Sequence, residues 1–201
     1  MTGQWVFGYG SLVSPVSFGH TLQRALTPGV DFFEAEIVGY GRRWNYGTSY
    51  QFTSFDDRSP EPKRWEFVAL GLVPAGGEST NGVIGWVDES EIAALDARER
   101  NYDRVDVTAG TAIQADVRKA VGDAPIVTYV PRPEPVALYE DARDRGVAAI
   151  TRRYWDLVDG AFGDLGADRR ERYHATTPAP DIPVIEQPEH EIPDRHRGRR
   201  A

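Results

Sequence analysis

Residues 5–12 of the chain, WVFGYGSL, place a short apolar run directly before a glycine-flanked turn. An apolar run of this length that is bounded by glycine predicts a buried strand ending in a tight turn. The glycines on both sides of Tyr9 also allow backbone N–H groups to converge, and such a concavity can hold a carboxylate or an oxyanion. We therefore predict a buried strand here and consider its turn a candidate anion site, with an ordinary tight turn as the structural alternative.

The next long segment, residues 30–50, is rich in aromatic and β-branched side chains, but Gly39, Gly41 and Gly47 interrupt it. Such interruptions are typical of bent or bulged strands, so we expect a closed or curled sheet. Further strands are predicted at 65–73, 82–87, 102–108 and 126–130, with a surface loop at 51–63 and a glycine-rich hairpin loop at 74–81.

Helical signals lie between and after these strands. Asp88 and Glu91 form the Asp-x-x-Glu pattern of a helix start, and the helix should run to about Glu99. Other helices are predicted at 15–26, 136–145 and 148–165, the last with an apolar stripe that we assign to core packing. Strands and helices together predict an α+β domain over residues 1–176, followed by an irregular Pro/Arg-rich tail over residues 177–201.

The composition excludes several classes of function. With 201 residues, 23 basic and 31 acidic, the net charge is −8, which disfavours binding to nucleic acid or to an anionic membrane. The absence of cysteine removes thiolate metal sites and cysteine nucleophiles, and four histidines make a histidine-built metal site improbable. The longest apolar run, residues 67–73, is far too short to span a membrane, so we expect a soluble, cytoplasmic protein without metal or cofactor.

Two familiar catalytic patterns are missing. The turn has Val13 where a dinucleotide fingerprint needs its third glycine, and no Gly-x-Ser-x-Gly elbow occurs. A nucleophilic Ser11 would need a histidine base, but neither His20 nor His174 has a recognisable spacing to it. Serine hydrolysis therefore has weak support.

Glu99 is the second candidate for chemistry. At helical spacing it projects between Ile92 and Leu95, on the apolar face of the predicted helix. A carboxylate in such a place pairs with a cation, frays outward at the helix end, or has a raised pKa that suits proton transfer. An ion pair with Arg100 or Arg104 is the structural alternative to a catalytic role.

Taken together, VFGYGSL and the later GVIGWVDESEIAALDARERNYDRV resemble the gamma-glutamylcyclotransferase family, with its ChaC-type and AIG2-like relatives. The resemblance covers about residues 4–176, including VTYVPRPEP. It implies an α+β fold in which a small, mixed, closed β-barrel is flanked by helices. It also implies a gamma-glutamyl pocket in the turn, lined by Tyr9, Gly10, Ser11 and Leu12.

The same resemblance implies the reaction, an intramolecular aminolysis of amide-lyase type. The α-amine of a small gamma-glutamyl substrate attacks its own γ-carbonyl, which yields 5-oxoproline and releases an amine or amino acid. Glu99 would be the catalytic acid/base, and no metal or cofactor is implied. Tyr129 either places its phenol in the same pocket or is a core tyrosine with a backbone partner.

The sequence departs from the family in the short segment Arg100-Asn101-Tyr102, where some members have a longer, glycine-containing stretch. The identity of the leaving amine, a glutathione-directed activity, a contact of Tyr102 with substrate, the oligomeric state and the role of the tail therefore stay open. Residues 41–44 and the predicted 51–63 loop are candidates for shaping acceptor choice. Two rival hypotheses are a non-catalytic module that binds a small ligand in the same pocket and a Ser11-dependent amidase.

Overall fold

The computed structural model describes residues 2–55 and 61–187. The strands are β1 (Gly3–Gly8), β2 (Phe32–Ser54), β3 (Lys63–Asp88), β4 (Tyr102–Asp106), β5 (Thr111–Ala112), β6 (Ile126–Pro131), β7 (Ala148–Thr151) and β8 (Val184–Ile185). The helices are α1 (Pro15–Leu22), α2 (Glu89–Arg98), α3 (Ala115–Val121), α4 (Pro133–Asp144), α5 (Arg152–Leu165) and α6 (Ala167–Thr176). Short 3₁₀ turns lie at Ser11–Val13 and Thr108–Gly110. No helix in the described ranges is long and apolar enough to cross a membrane.

The sheet is built on two long antiparallel strands, β2 and β3, which bend together. Their register shifts at three places, between Val38 and Tyr40, between Arg43 and Tyr46, and between Gly47 and Gln51. Such irregularities kink a strand and increase its twist, so the pair curls. Strand β1 pairs antiparallel with the end of β3 and parallel with β6, giving the order β4-β6-β1-β3-β2-β5.

This architecture confirms the predicted α+β class and the mixed, curled sheet, but the sheet is a half-barrel. Among the described residues, the end strands β4 and β5 pair with β6 and β2 respectively, and not with each other. The structure thus has the curled form of the expected closed or curled sheet. The helices pack around the curl, where the main apolar core lies, and a second, smaller cluster is formed by Phe52, Trp65, Ala149 and Ile185.

The glycine-rich segment 74–81 is not the hairpin loop that the sequence predicts. It is carried inside β3, where Ser79 and Thr80 pair with Val38 and Ile37 of β2. Local composition favours a turn at Gly76 and Gly77, but the partner strand supplies hydrogen bonds on both sides of a bulge. Tertiary pairing thus overrides the local turn signal.

The predicted helix at 148–165 begins four residues late. Residues 148–151 are fully buried as β7, which runs parallel to β3 beside Glu66 and Phe67. The Thr151 hydroxyl then accepts a hydrogen bond from the Tyr154 N–H and caps α5. The first predicted helix likewise ends at Leu22 and not near residue 26.

The start of α2 is as predicted. The Asp88 carboxylate accepts from the N–H groups of Ser90 and Glu91, while the Glu91 carboxylate accepts from the Asp88 N–H. This reciprocal cap fixes where the helix begins, directly after β3. The length of α2 then determines where its last residues, and Glu99 after them, meet the rest of the molecule.

The first part of the predicted irregular tail packs on the domain. Val184 and Ile185 form β8, which pairs parallel with β7, and Ile182 is buried. The packing therefore continues past residue 176, whereas residues 188–201 of the predicted tail lie outside the described ranges. Residues 56–60 of the predicted 51–63 loop also lie outside them.

Arg42 is a buried cation that stabilises the packing of the start of the tail against the domain. Its guanidinium donates to Thr177 Oγ1 at 2.9 Å and to the backbone carbonyl of Asn81, and it lies 4.9 and 5.0 Å from the ring centroids of Phe162 and Tyr173. Its Nε has no hydrogen-bond partner among the described residues. Burial lowers the pKa of Arg42 to about 10. Arg42 thus ties β2 to β3, α5, α6 and the start of the tail.

Candidate active site

A cavity of about 40 Å³ lies at the end of β1, beside the glycine turn. Its wall is formed by Phe7, Tyr9, Gly10, Ser11, Leu12, Leu70, Glu99, Tyr102, Tyr129 and Tyr154. All six residues that the sequence singles out for the site, Tyr9, Gly10, Ser11, Leu12, Glu99 and Tyr129, are in this wall. The volume accommodates about three water molecules, so a larger ligand requires side chains of the wall to move outward.

The turn itself is compact. Gly10 precedes the 3₁₀ turn Ser11–Val13, and the Val13 N–H donates to the Gly10 carbonyl at 2.9 Å. The N–H groups that open such a turn have no partner within it. A side chain at position 10 would meet the Tyr154 hydroxyl, because a Cβ there would lie 3.0 Å from Tyr154 Oη. Glycine therefore lets the backbone approach this phenol closely.

Glu99 is the C-cap of α2 and not a residue of its apolar face. Its N–H closes the last turn to the Leu95 carbonyl at 2.8 Å, and its own backbone is no longer helical (φ −95°, ψ 28°). This turns the side chain into the cavity wall, where only 13% of it is exposed. Its place in the wall results from the end of the helix and not from the helical spacing on which the expectation was based.

The cation nearest to Glu99 is Arg98, whose Nε lies 3.0 Å from Glu99 Oε1. The sequence suggested Arg100 or Arg104 as the ion-pair partner. Arg104 instead pairs with Asp96 at 2.8 Å. Burial raises the pKa of the Glu99 carboxyl above its ordinary value, and the Arg98 charge opposes this shift only in part.

Tyrosines make up much of the remaining wall. Tyr9 Oη donates to the Tyr129 carbonyl at 2.8 Å, and Tyr154 Oη accepts from the Leu70 N–H at 3.4 Å. Burial raises the pKa of Tyr9, Tyr102 and Tyr154, and the Glu99 charge raises each further. These phenols are therefore neutral hydrogen-bond donors at physiological pH.

Tyr129 matches neither of the two alternatives left open for it in full. The residue lines the cavity, but its hydroxyl donates to Asp96 Oδ1 at 2.8 Å on the outer side of α2. Burial raises the pKa of Tyr129, and the hydrogen bond to Asp96 adds to the shift. Tyr129 thus lines the cavity, its carbonyl accepts from Tyr9, and its hydroxyl anchors α2 through Asp96.

Sequence reasoning did not assign Tyr154 or Arg98 to the site, and it left Tyr102 open. Tyr154 belongs to the apolar stripe of α5 that the sequence assigned to core packing. Tyr102 stands in the wall and stacks on Tyr46 with ring centroids 4.5 Å apart. The signal for Tyr102 was its place directly after the Glu99 segment, whereas Tyr154 carried no local signal that separates a site residue from a core residue.

Among the described residues, no histidine is hydrogen-bonded to Ser11. Its hydroxyl oxygen accepts from Arg98 Nη2 at 2.8 Å, and a guanidinium cannot take up a proton. His20 is exposed on α1, and His174 pairs with Asp159 at 2.9 Å elsewhere on the surface. The arrangement therefore disfavours a nucleophilic serine. Within the described residues, no three His, Asp or Glu side chains cluster as a metal ion would require.

A larger cleft of about 500 Å³ lies on the surface between β3 and α6, around residues 77–79 and 172–179. Its charged groups already have partners: Arg172 pairs with Glu36, His174 with Asp159, and Glu78 with Arg43. The charged side chains of this cleft are thus all paired with other described residues. Arg42 and Arg43 from the predicted 41–44 segment contribute to the core and to this surface, and neither is in the wall of the cavity.

The raised pKa of Glu99 predicts a pH-dependent effect of Glu99→Gln on stability. The folded protein holds the Glu99 proton more tightly than the unfolded chain, so the ionised carboxylate costs stability above its folded pKa. Glu99→Gln removes that cost. We therefore expect a higher Tm than wild type at pH 8, and a gain that shrinks as the pH falls toward the ordinary value of 4.5.

Calorimetry at pH 8 and pH 5 checks this expectation. Glu78→Gln is the control of opposite sign, because the hydrogen bond from Arg43 lowers the pKa of Glu78. The Glu78→Gln variant should not have a higher Tm than wild type at pH 8. A Glu99→Gln variant that is less stable than wild type at pH 8, or whose gain is the same at both pH values, would contradict the prediction.

No protein-family model and no curated protein matches the chain. Solved structures do: a gamma-glutamyl cyclotransferase matches 94% of this chain and 95% of its own at 15% identity, with a TM-score of 0.54. An uncharacterized protein from Homo sapiens matches 95% of this chain and 96% of its own, also at 15% identity, with a TM-score of 0.55. A protein from Arabidopsis thaliana solved in solution matches 65% of this chain at 22% identity and a TM-score of 0.42, and only 63% of its own length is covered.

The two matches that cover nearly the whole of both chains confirm the expected resemblance at the level of the fold. The protein therefore has the gamma-glutamyl cyclotransferase-like fold.

Proposed function

We propose that the protein is a gamma-glutamyl cyclotransferase, which converts the gamma-glutamyl group of a small substrate to 5-oxoproline and releases an amine or amino acid. The observation that carries this proposal is the buried Glu99 carboxyl, which shares one cavity with the glycine turn at residues 9–12. Fold likeness to a gamma-glutamyl cyclotransferase supports it.

The reaction needs a proton carrier more than it needs a nucleophile. The substrate's α-ammonium must lose a proton before its nitrogen can attack the γ-carbonyl carbon. Closing the lactam and breaking the old C–N bond moves two protons in all from the attacking nitrogen to the leaving nitrogen, which departs as an ammonium. Glu99 would carry these protons, and its raised pKa brings it closer to the pH at which it must both accept and donate.

The attack also places negative charge on the γ-carbonyl oxygen. Hydrogen-bond donors that are already in place stabilise such an oxyanion without reorganisation. The cavity wall offers the Ser11 hydroxyl, the N–H groups of the turn, and the phenols of Tyr102 and Tyr154. In this proposal the turn holds the glutamyl end, and one or more of these donors face the developing oxyanion.

The intramolecular character of the reaction explains the modest machinery. Amine and carbonyl belong to one molecule, so a binding site that folds the substrate into a near-attack shape supplies much of the acceleration. A glutamyl group is larger than the cavity of about 40 Å³. Its binding must therefore expel water from the cavity and turn side chains of the wall outward. The exclusion of water that results would also strengthen the hydrogen bonds around Glu99.

The direct test is incubation with gamma-glutamyl dipeptides, glutathione and gamma-glutamyl amines, with products identified by mass. We expect 5-oxoproline and a free amine from at least one substrate. A matched control is the same substrate with its α-amine acetylated, which has no nucleophile and should be inert.

The rival hypotheses give different products. A Ser11-dependent amidase would release free glutamate and would also hydrolyse the acetylated control. A binding module would bind 5-oxoproline or a related carboxylate and turn nothing over. Either result, obtained with folded protein, would overturn the proposal.

A further inference from the structure

Arg98 lies at the junction of three parts of the site. Its Nη2 donates to Ser11 Oγ at 2.8 Å, its Nη1 contacts the Ser17 carbonyl and Thr21 Oγ1 on α1, and its Nε lies 3.0 Å from Glu99 Oε1. One planar guanidinium therefore connects the turn after β1, helix α1 and the proposed acid/base. A fork of five N–H donors can hold several acceptors in a fixed geometry, which a single ammonium cannot do.

Neighbouring residues on a helix do not face each other, so this ion pair depends on where α2 ends. Arg98 is the last residue of the helix, and Glu99 has already left helical geometry. The change of backbone direction at Glu99 brings the two side chains together. Moving the helix end by one residue would separate them.

The contact with Ser11 also determines what the hydroxyl can do. Its oxygen is occupied as an acceptor by Arg98, and no acceptor for its proton occurs in residues 2–55 and 61–187. The proton is thus available to a group inside the cavity. A serine arranged in this way donates to a ligand and is not activated as a nucleophile.

We propose that Arg98 is a positioning residue, which fixes the Glu99 carboxylate and directs the Ser11 hydroxyl as a donor into the cavity. For its role in turnover this inference rests on the proposed function. The arrangement of Arg98, Ser11 and Glu99 in the protein without substrate does not depend on it.

The titratable groups around Glu99 determine how its pKa should respond to the loss of Arg98, and this response can be measured. The groups that face Glu99 from the packed elements are the phenols of Tyr9 in the turn after β1, Tyr46 on β2, Tyr102 on β4, Tyr129 on β6 and Tyr154 on α5. These phenols are neutral near physiological pH, and Arg98 is the cation that lowers the Glu99 pKa. Removal of Arg98 should therefore move the titration of Glu99 to higher pH.

The test compares Arg98→Gln and Arg98→Lys with Arg24→Gln. Arg24 is a matched control because its guanidinium binds Glu91 on the same helix and its side chain is 32% exposed, against 26% for Arg98. Carbon-13 NMR of labelled carboxyl groups, with the Glu99 signal assigned by its loss in Glu99→Gln, follows the titration without substrate. We expect an upward shift in Arg98→Gln, a smaller one in Arg98→Lys, and none in Arg24→Gln.

Activity provides the second readout. Arg98→Gln should lower kcat by about 100-fold, since small misplacements of catalytic groups have effects of this size, and should shift the acidic limb of the pH–rate profile upward. Arg98→Lys should return the acidic limb of the pH–rate profile most of the way to its wild-type position. It should not restore kcat, because one ammonium cannot hold both Ser11 and Glu99. An unchanged Glu99 titration in Arg98→Gln, or the same shift in Arg24→Gln, would overturn the inference. If wild type forms no 5-oxoproline, the proposed function fails, and the NMR titration still decides the role of Arg98.

Discussion

Glu99→Gln is expected to slow 5-oxoproline formation by about 10²–10⁴-fold, the usual contribution of a positioned acid or base. Glutamine keeps the shape of glutamate but cannot accept the ammonium proton, so deprotonation of the attacking amine is left to water. Substrate and product should still bind, with the Kd for 5-oxoproline within about tenfold of wild type, because the proposed binding groups in the turn are unchanged. Single-turnover assays and calorimetric titration separate the two effects.

The matched control is Glu89→Gln, which changes an exposed carboxylate in the first turn of the same helix. It should retain the wild-type rate. A Glu99→Gln enzyme with more than about a tenth of wild-type activity would show that Glu99 is not the proton carrier. Loss of product binding together with loss of activity would assign Glu99 to ligand binding instead.

Arg42→Ala is expected to lower the free energy of unfolding by about 3 kcal/mol, as for other large-to-small changes in a core. The truncation leaves a void between the Phe162 and Tyr173 rings, and it removes the donors that satisfy the Asn81 carbonyl and the Thr177 hydroxyl. Buried acceptors that lose their donors add to the cost of the void. Urea unfolding monitored by tryptophan fluorescence gives the measurement.

Two further variants separate the causes. Arg42→Met fills most of the volume without the donors, so its loss should fall below that of Arg42→Ala. Arg43→Ala changes the adjacent residue, whose ion pair with Glu78 lies at the surface, and exposed pairs contribute little. An Arg42→Ala protein as stable as Arg43→Ala would contradict the structural role of the buried guanidinium.

Local signals in the sequence were sufficient for the parts of the fold that local interactions build. The capping box of Asp88 and Glu91 is satisfied by groups within three residues, and it starts α2 where predicted. The apolar run before Gly8 likewise predicted β1, since burial and a glycine-bounded turn are properties of the segment itself. These two elements identified the turn and the helix before Glu99, and the family resemblance then implied that turn and carboxylate form one site.

Contacts between distant segments were not predictable in this way. Tyr9 binds the carbonyl of a residue 120 positions away, and Arg98 reaches Ser11 across 87 positions. No spacing in the sequence distinguishes Tyr154, which reaches the cavity, from an ordinary core tyrosine. Its role depends on how α5 packs against β3 and on the absence of a side chain at Gly10.

Local patterns in the chain were enough to predict the α+β class, the strand-to-turn segment at residues 5–12, the start of α2 and the importance of Glu99. Folding was needed to show that the sheet forms a half-barrel, that residues 74–81 continue a strand, and that Glu99 faces the cavity from a helix end with Arg98 beside it. The difference lies in the sequence separation of the interacting residues. Helix caps and turns are formed by residues close together in the sequence, whereas strand pairing, burial and ion pairs depend on distant segments that only folding brings together.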